Sequence, residues 1–389
     1  MAAPALLPFR LPPPEGGRAD LLVIAGEHSG DEHAARMVRE AREREPGLAV
    51  AALGGPALAG TGAQLLHDLT ASSVVGIVEV LRNYSYFRAL FEEILRWVAE
   101  YRPRAVCLVD YPGMNLRLAA ALRERGLSVK GGGATRVIYY ISPQIWAWKA
   151  GRRFAMARDL DAMAVIFPFE PACYADTPLP VEFVGHPFLA PGYVSPVRHD
   201  PAGPVLLLPG SRRQPVERIF PALLAGWKAS GQPEAVVLYP SEEIRDVLRA
   251  ANPPPAVRLL PVGFGEKGAG SVAACAVLTS SGTMSMHCAL AGIPGAIAYR
   301  ANPLTYLIGR MLVRVEYLGI ANLLLKEPMY PEYIQGAATP AALAKELQAA
   351  LEEPERRAKT AVQAAKLRSL LGAPASGTAA DWLLRRLRS

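Results

Sequence analysis

Ala25-Gly-Glu-His-Ser-Gly-Asp31 decides the fold, because the apolar run Leu21–Ile24 ends in it and a helical pattern follows. In that pattern, His33–Glu40, the residues Ala34, Ala35, Met37 and Val38 alternate with Arg and Glu. A strand feeding a glycine-rich turn and then a helix aims unpaired backbone N–H groups and a positive dipole end at one spot. Such a spot suits a phosphate or sugar oxygen. The arrangement recurs where Val205–Leu208 runs into Pro209-Gly-Ser-Arg212, and where Ala276–Leu278 runs into Ser280-Ser-Gly-Thr283. Three such turns in two halves predict two facing α/β domains.

A chain of 389 residues exceeds one core and accommodates two. Hydrophobic residues make up 51% and charged residues 20%, so a large interior can be buried and disorder is excluded as the dominant state. The formal net charge of +7 favours anionic partners such as nucleotides or lipid headgroups. Nucleic acid is not expected, since there is no zinc-finger spacing, RNA-recognition signature or dense basic run. Cys107, Cys173, Cys275 and Cys288 stand far apart with no Cys-x-x-Cys pair, which predicts reduced core thiols and no metal. The proline-bearing stretch 1–19 lacks the features of a secretory signal and reads as a flexible arm. No window holds the roughly 18 unbroken apolar residues that a span requires. The expected location is the cytoplasm, or at most attachment to a membrane surface.

Apolar runs at Leu21–Ile24, Ala49–Leu53, Ala105–Val109, Arg136–Tyr140, Ala162–Phe167 and Glu182–Val184 predict buried parallel strands in a first domain, 20–190. The clearest helix is Val80–Ala99, with Tyr84, Phe87, Leu90, Phe91, Ile94, Leu95 and Val98 on one face. Ala190–Pro204 is rich in proline and reads as a linker. A second domain, 191–340, restarts with strands at Val205–Leu208, Ala235–Tyr239, Val257–Leu260, Ala276–Thr279 and Ala296–Tyr299. Its helices fit Glu217–Ser230, Ser241–Ala251 and Met284–Ala291. Residues 341–389 read as terminal helices closing on the body.

Asp110 follows the strand Ala105–Val109 in Val-Asp-Tyr-Pro-Gly-Met-Asn115, where open parallel sheets bind their ligands. A carboxylate there suits a general base on a hydroxyl, or a cap for the helix starting near Asn115. Gly210, Ser211 and Arg212 combine backbone donors with a guanidinium that suits a diphosphate, unless Arg212 pairs with Glu217. Ser281-Gly282-Thr283 opens a helix and serves equally as an anion site or as plain capping. Neither a Walker loop nor a GxGxxG fingerprint is present. Trp146 and Trp148, followed by Arg152 and Arg153, suit a sugar face and its phosphate, or a sealed domain edge. His186 reads as structural more readily than as catalytic.

These phrases carry a family resemblance. The chain resembles lipid-A-disaccharide synthases through Ala-Gly-Glu-x-Ser-Gly-Asp at 25–31, Val-Val-Gly-Ile-Val-Glu-Val-Leu at 74–81 and Val-Asp-x-Pro-x-x-Asn at 109–115. Further matches are Ser-Pro-Gln-Ile-Trp-Ala-Trp at 142–148, Phe-Pro-Phe-Glu at 167–170, Val-Gly-His-Pro at 184–187 and Leu-Pro-Gly-Ser-Arg at 208–212. The series ends with Ser-Gly-Thr at 281–283, Tyr-Arg-x-x-Pro-x-Thr at 299–305, Asn322, and Pro331-Glu-x-x-Gln335.

The resemblance implies a GT-B fold, two Rossmann-like doubly wound parallel-sheet domains facing across a cleft. It also implies inverting transfer of 2,3-diacylglucosamine from UDP to the 6-hydroxyl of 2,3-diacylglucosamine 1-phosphate. Asp110 then matches the essential aspartate. Glu27, Ser29, Gly30, Asp31 and Asn115 match the acceptor side. Gly210, Ser211, Arg212, Ser281, Gly282, Thr283, Asn322 and Gln335 match the UDP side, and His287, where the family has a glutamate facing the ribose, is expected in a first helical turn beside it. No metal or other cofactor is expected, because Arg and helix N-termini stabilise a diphosphate. The implied partners are the two sugar substrates and the membrane surface, reached through Val80–Ala99 or Leu304–Val313. The oligomeric state is left open, a homodimer included.

The chain departs from the family pattern at Gly113, Pro215, His287, Ile320-Ala-Asn322 and Ala34. Three alternatives therefore stand beside the leading reading. They are a relative using another lipid-linked sugar, a UDP-N-acetylglucosamine 2-epimerase-like enzyme, and a catalytically silent nucleotide-sugar binder.

Overall fold

The computed structural model describes residues 9–70, 84–262, 270–302, 306 and 316–388. The motif at 74–81, the first residues of the expected helix at 80–99, the end of the 299–305 phrase, and the segment 304–313 apart from Tyr306 lie outside the described residues. The chain divides into two compact units, one running to Pro187 and resuming at Pro374, the other spanning Phe188–Ala373.

The first unit carries seven parallel strands, β1 (Leu21–Ala25), β2 (Val50–Gly54), β3 (Gln64–Asp68), β4 (Ala105–Val109), β5 (Arg136–Tyr140), β6 (Ala162–Val165) and β7 (Val181–Phe183). Their order is β3-β2-β1-β4-β5-β6-β7, with β1 pairing both β2 and β4. β1, β2 and β4 are buried along their whole length, as continuous apolar runs between two helical layers require. β3 escaped the sequence reading because His67 and Asp68 half-expose it at the sheet edge, so no apolar run marks it.

Helix α1 (His28–Arg44) begins inside the quoted turn and runs longer than the predicted His33–Glu40. α2 (Pro56–Ala59) is a single turn, and α3 (Tyr84–Tyr101) supplies the predicted amphipathic helix. On α3, Leu90, Ile94, Leu95, Trp97 and Val98 are buried, so the described part of its apolar face belongs to the core. The stretch preceding β1 is not a loose arm where it is described. Leu11 is buried and donates its N–H to Glu93 at 2.7 Å, and the Trp97 indole donates to the Pro12 carbonyl at 2.9 Å.

The second unit repeats the plan. Strands β9 (Val205–Leu208), β10 (Ala235–Tyr239), β11 (Val257–Pro261), β13 (Ala276–Thr279), β14 (Gly295–Tyr299) and β15 (Glu332–Ile334) order as β11-β10-β9-β13-β14-β15, all parallel. Counted within each sheet, the first six strands take the same order, the third, second and first and then the fourth, fifth and sixth, which is the doubly wound order. The predicted linker 190–204 contains a strand, β8 (Val197–His199), which pairs with β12 (Val272–Ala274).

Helix α4 (Pro112–Glu124) follows β4, and α5 (Arg152–Asp159) follows β5. In the second unit α6 (Arg213–Ala229) follows β9, α7 (Glu242–Ala250) follows β10, and α8 (Thr283–Ala291) follows β13. The short α9 (Ile320–Leu325) precedes β15, and α10 (Pro340–Glu352) lies on α6. Their contact is close because Gly226 offers no Cβ: one built there would stand 2.6 Å from the Leu343 Cβ. α11 (Pro354–Leu371) completes the second unit, whereas α12 (Ala379–Arg388) returns to the first. Among the described residues no helix is long and apolar enough to cross a membrane.

Candidate active site

In the first unit, β1 and β4 are the neighbours at which the strand order reverses, so their carboxyl ends flank the crevice where such sheets bind ligands. Both ends carry the motifs singled out above. The β1 turn passes Gly26 and Glu27 into α1, with Glu27 in extended conformation at the N-cap and no side chain capping the helix. Ser29 stands half-exposed in the first turn. A Cβ on Gly30 would come 3.8 Å from the Val109 carbonyl oxygen and 4.0 Å from the Asp110 Cβ, so the two turns touch here.

Asp110 adopts φ +46° and Tyr111 φ +48°. Two consecutive non-glycine residues with positive φ cost on the order of 1–3 kcal/mol each, and such strain gathers at functional sites. Neighbouring groups hold the conformation. The Asp110 N–H donates to the Tyr140 carbonyl at 3.0 Å. The Asp110 carbonyl accepts from the Asn115 amide at 2.8 Å and from the Tyr139 hydroxyl. Asn115 is fully buried and also donates to the Val109 carbonyl at 3.2 Å. Tyr139 is likewise fully buried, and its phenol is pushed well above the usual range by burial and then by Asp110, so it remains a donor. The Tyr111 ring occupies the place of a Gly26 side chain, a Cβ there falling 2.3 Å from a ring carbon. The helix after the turn starts at Pro112 with Tyr111 as its N-cap, so Asp110 stands one residue outside the cap position. Asn115, expected on the acceptor side, instead braces the turn from beneath.

Asp31 also belongs to the framework. It is buried, and its carboxylate accepts from the N–H groups of Gly55 at 2.8 Å, Ala57 at 2.9 Å and Leu58 at 3.3 Å, closing the N-terminus of α2. Burial raises its pKa, the three N–H groups pull it back down, and Asp68 raises it further. Gly55 must lack a side chain, since a Cβ would stand 2.6 Å from the Thr70 hydroxyl and 2.7 Å from Asp31. His186 is buried against Phe167, with ring centroids 5.5 Å apart, as a structural histidine would be. Glu170 of the Phe-Pro-Phe-Glu phrase is buried, and burial pushes its carboxyl up to about 8.

The second unit presents the equivalent pair of turns at β9 and β13. Gly210 has φ +117°, and a Cβ there would come 3.3 Å from the Ser280 hydroxyl. Ser211 and Arg212 are exposed, and Arg212 is the N-cap of α6. Glu217 bonds Arg213 at 2.8 Å, so the sequence alternative for Arg212 falls to its neighbour. Gly282 is the N-cap of α8 without side-chain capping, and Gly282 and Thr283 are exposed with Ser281 half-exposed. The Ser280 N–H donates to the Leu208 carbonyl at 2.8 Å, tying the two turns together. Open helix starts with uncapped N–H groups, one of them carrying a guanidinium, suit a diphosphate.

Three of the residues expected on the UDP side bond or pack within the chain. His287 lies in the second turn of α8, not the first, and is 1% exposed. Its ring stacks on Phe188 with centroids 3.8 Å apart and pairs through Nε2 with the Tyr193 hydroxyl at 3.2 Å. Asn322 is fully buried, donating to the Tyr330 carbonyl and Glu332 and accepting from the N–H groups of Met329 and Tyr330, all at 2.7–3.0 Å. Both its amide atoms are engaged by the chain. Gln335 bonds both backbone groups of Ala301, at 2.9 and 3.2 Å, and so fixes the segment after β14. Tyr139 and Ser280 are the residues whose importance sequence reading missed, although one stood inside a predicted strand and the other inside a quoted turn. No group of three or more metal-ligating side chains occurs among the described residues.

Residues 21–382 match the lipid-A-disaccharide synthetase family model. A lipid-A-disaccharide synthase of Geobacter metallireducens is 35% identical over 366 residues, covering 90% of this chain and 93% of that protein. One from Nitrosococcus oceani is 34% identical over 377 residues, covering 92% and 94%. Among solved structures, the glycosyltransferase of kitacinnamycin superposes with a TM-score of 0.56 at 16% identity, over 95% of this chain and all of that one, a likeness of fold. The two doubly wound sheets are thus those of GT-B glycosyltransferases, and the chain belongs to the lipid-A-disaccharide synthetase family.

Proposed function

We propose that this protein transfers 2,3-diacylglucosamine from UDP to 2,3-diacylglucosamine 1-phosphate, with inversion at the anomeric carbon and release of UDP. The observation that carries the reading is Asp110, a carboxylate at the carboxyl end of β4, held in a positive-φ turn by Asn115, Tyr139 and Tyr140. Its carboxylate takes the proton of the acceptor 6-hydroxyl as that oxygen bonds the anomeric carbon and the bond to the diphosphate breaks. Glu27, Ser29 and Gly30 line the acceptor side of this turn. Gly210, Ser211 and Arg212, with Ser281, Gly282 and Thr283, receive the departing charge of UDP on backbone N–H groups and the guanidinium. These donors serve without a metal. The protein works as a peripheral enzyme on the inner face of the cytoplasmic membrane, where acylated substrates reside.

Mass spectrometry and UDP-release measurements on the purified protein test this directly. The expected result is one UDP for each disaccharide 1-phosphate formed. UDP binding without turnover would identify a silent binder, and consumption of UDP-sugar without acceptor an epimerase-like enzyme.

A further inference from the structure

The motif 142–148 and its flanking arginines remain outside the chemistry just described, and the structure separates its parts. Trp146 packs edge-on against Phe169 and Phe167, with centroids 5.3 and 6.0 Å away. Trp148 stays 36% exposed. The Lys149 Nζ lies 4.5 Å from the centre of its indole, and the Arg152 guanidinium carbon lies 4.9 Å from it. Lys149 adopts φ +55°, and the Arg152 N–H donates to the Lys149 carbonyl at 2.9 Å, so a short turn gathers both cations on one ring.

Other cations on the same segment are neutralised. Arg153 bonds Asp176 at 2.6 Å, and Arg158 bonds Asp159 at 2.8 Å. Among the described residues, no carboxylate pairs with Lys149 or Arg152. Two like charges on one exposed indole repel each other, and a doubly charged anion between them turns that repulsion into attraction. A phosphate monoester carries about −1.5 to −2 charges at neutral pH and accepts a bidentate guanidinium. The position is also right. Trp148, Lys149 and Arg152 follow β5, the strand beside β4, whose carboxyl end carries the Asp110 turn.

We propose that Trp148, Lys149 and Arg152 form a phosphate-monoester subsite for the sugar acceptor, the indole lying against the sugar and the two cations holding its phosphoryl group. This rests on the acceptor reading above and names the residues that recognise its anionic end.

The test compares kcat/KM for acylglucosamine acceptors with and without the anomeric phosphate. Arg152→Gln is expected to lower the value for the phosphorylated acceptor about tenfold or more, the loss of a charge-assisted hydrogen bond. The value for the unphosphorylated acceptor and the KM for the UDP-sugar are expected to stay within about twofold, since neither involves the lost contact. Lys149→Gln has the same pattern with a smaller loss, and Arg158→Gln, on the same helix with its charge already paired, has none. Equal losses on both acceptors, or no loss on either, overturn the proposal.

Flotation with phosphatidylglycerol and phosphatidylcholine vesicles separates a lipid headgroup from the substrate phosphate. If Arg152→Gln abolishes flotation while the acceptor preference survives, the cations read lipid and the proposal falls. Should the parent protein transfer no sugar, the function reading fails by itself. Indole fluorescence titration with acylglucosamine 1-phosphate then decides the subsite. About tenfold weaker binding in Arg152→Gln, with the signal lost in Trp148→Phe, supports it, and unchanged binding overturns it.

Discussion

The carboxyl ends of β4 and β13 occupy the same place in two sheets that share the order of their first six strands, yet they are built in opposite ways. The turn after β4 has non-glycine residues at φ +46° and +48°, held by a buried amide, a buried phenol and a neighbouring strand carbonyl. The turn after β13 consists of Ser280, Ser281 and Gly282, opens onto an uncapped helix start, and leaves Gly282 and Thr283 exposed. One turn fixes a single side chain at the cost of strain. The other leaves backbone donors in the open. A proton acceptor needs position to within a fraction of an ångström, whereas a diphosphate has many oxygens and tolerates a broader cradle. In the function proposed above, the same topological position serves a directional task in one unit and a diffuse one in the other.

If that contrast is right, removing the charge of the braced residue has the largest effect. Asp110→Asn is expected to cut turnover about 10²-fold or more while UDP affinity, measured by calorimetry, stays near that of the parent. Turnover within about twofold of the parent would break the contrast at its strongest point. Arg212→Gln acts on the other side, and UDP should bind about tenfold more weakly or worse as a charge-assisted contact is lost. An unchanged affinity would leave the second unit's turns without a ligand.

Finer changes sharpen the comparison. Tyr139→Phe removes one of two donors on the Asp110 carbonyl, and kcat is expected to fall roughly threefold to tenfold, the worth of one neutral hydrogen bond. The donor KM should not move, because a brace for the acceptor turn has no part in holding UDP. His287→Ala should change UDP affinity least, within about twofold, while lowering stability by about 2–4 kcal/mol through the cavity left beside Phe188. Loss of more than tenfold in affinity, with thermal stability intact, would return His287 to the ribose.

The alternation of apolar runs and glycine turns made most of both sheets legible, because strands buried on two faces have no polar positions to obscure them. The edge strands β3 and β15 were not legible, since Gln64, His67 and Asp68 in one and Glu332 in the other are half-exposed. In the site, the turns were read correctly as turns, and the roles inside them less so. Asp31 bonds residues 24 to 27 positions away, and Asn322 closes a network with Glu332 and Tyr330. A motif shows that such residues are required without showing whether a ligand or the chain itself requires them. His287 turned inward because its place on α8 meets Phe188, which the pattern left at the end of the first domain, and Tyr193, which it assigned to a linker.

The return of α12 to the first unit has a consequence for the order in which the protein can be made. Trp382, Leu383 and Leu387 are buried there, Arg385 and Arg386 both pair with Glu182, and Arg388 pairs with Glu45. On a ribosome, β1 to β7 emerge early but lack this covering helix until the whole second unit has been synthesised. The second unit, continuous from Phe188 to Ala373, is free to complete its core while its predecessor waits. The first unit, begun before the second, is completed after it, and a stop codon ahead of α12 would expose the interior of the opposite end of the chain.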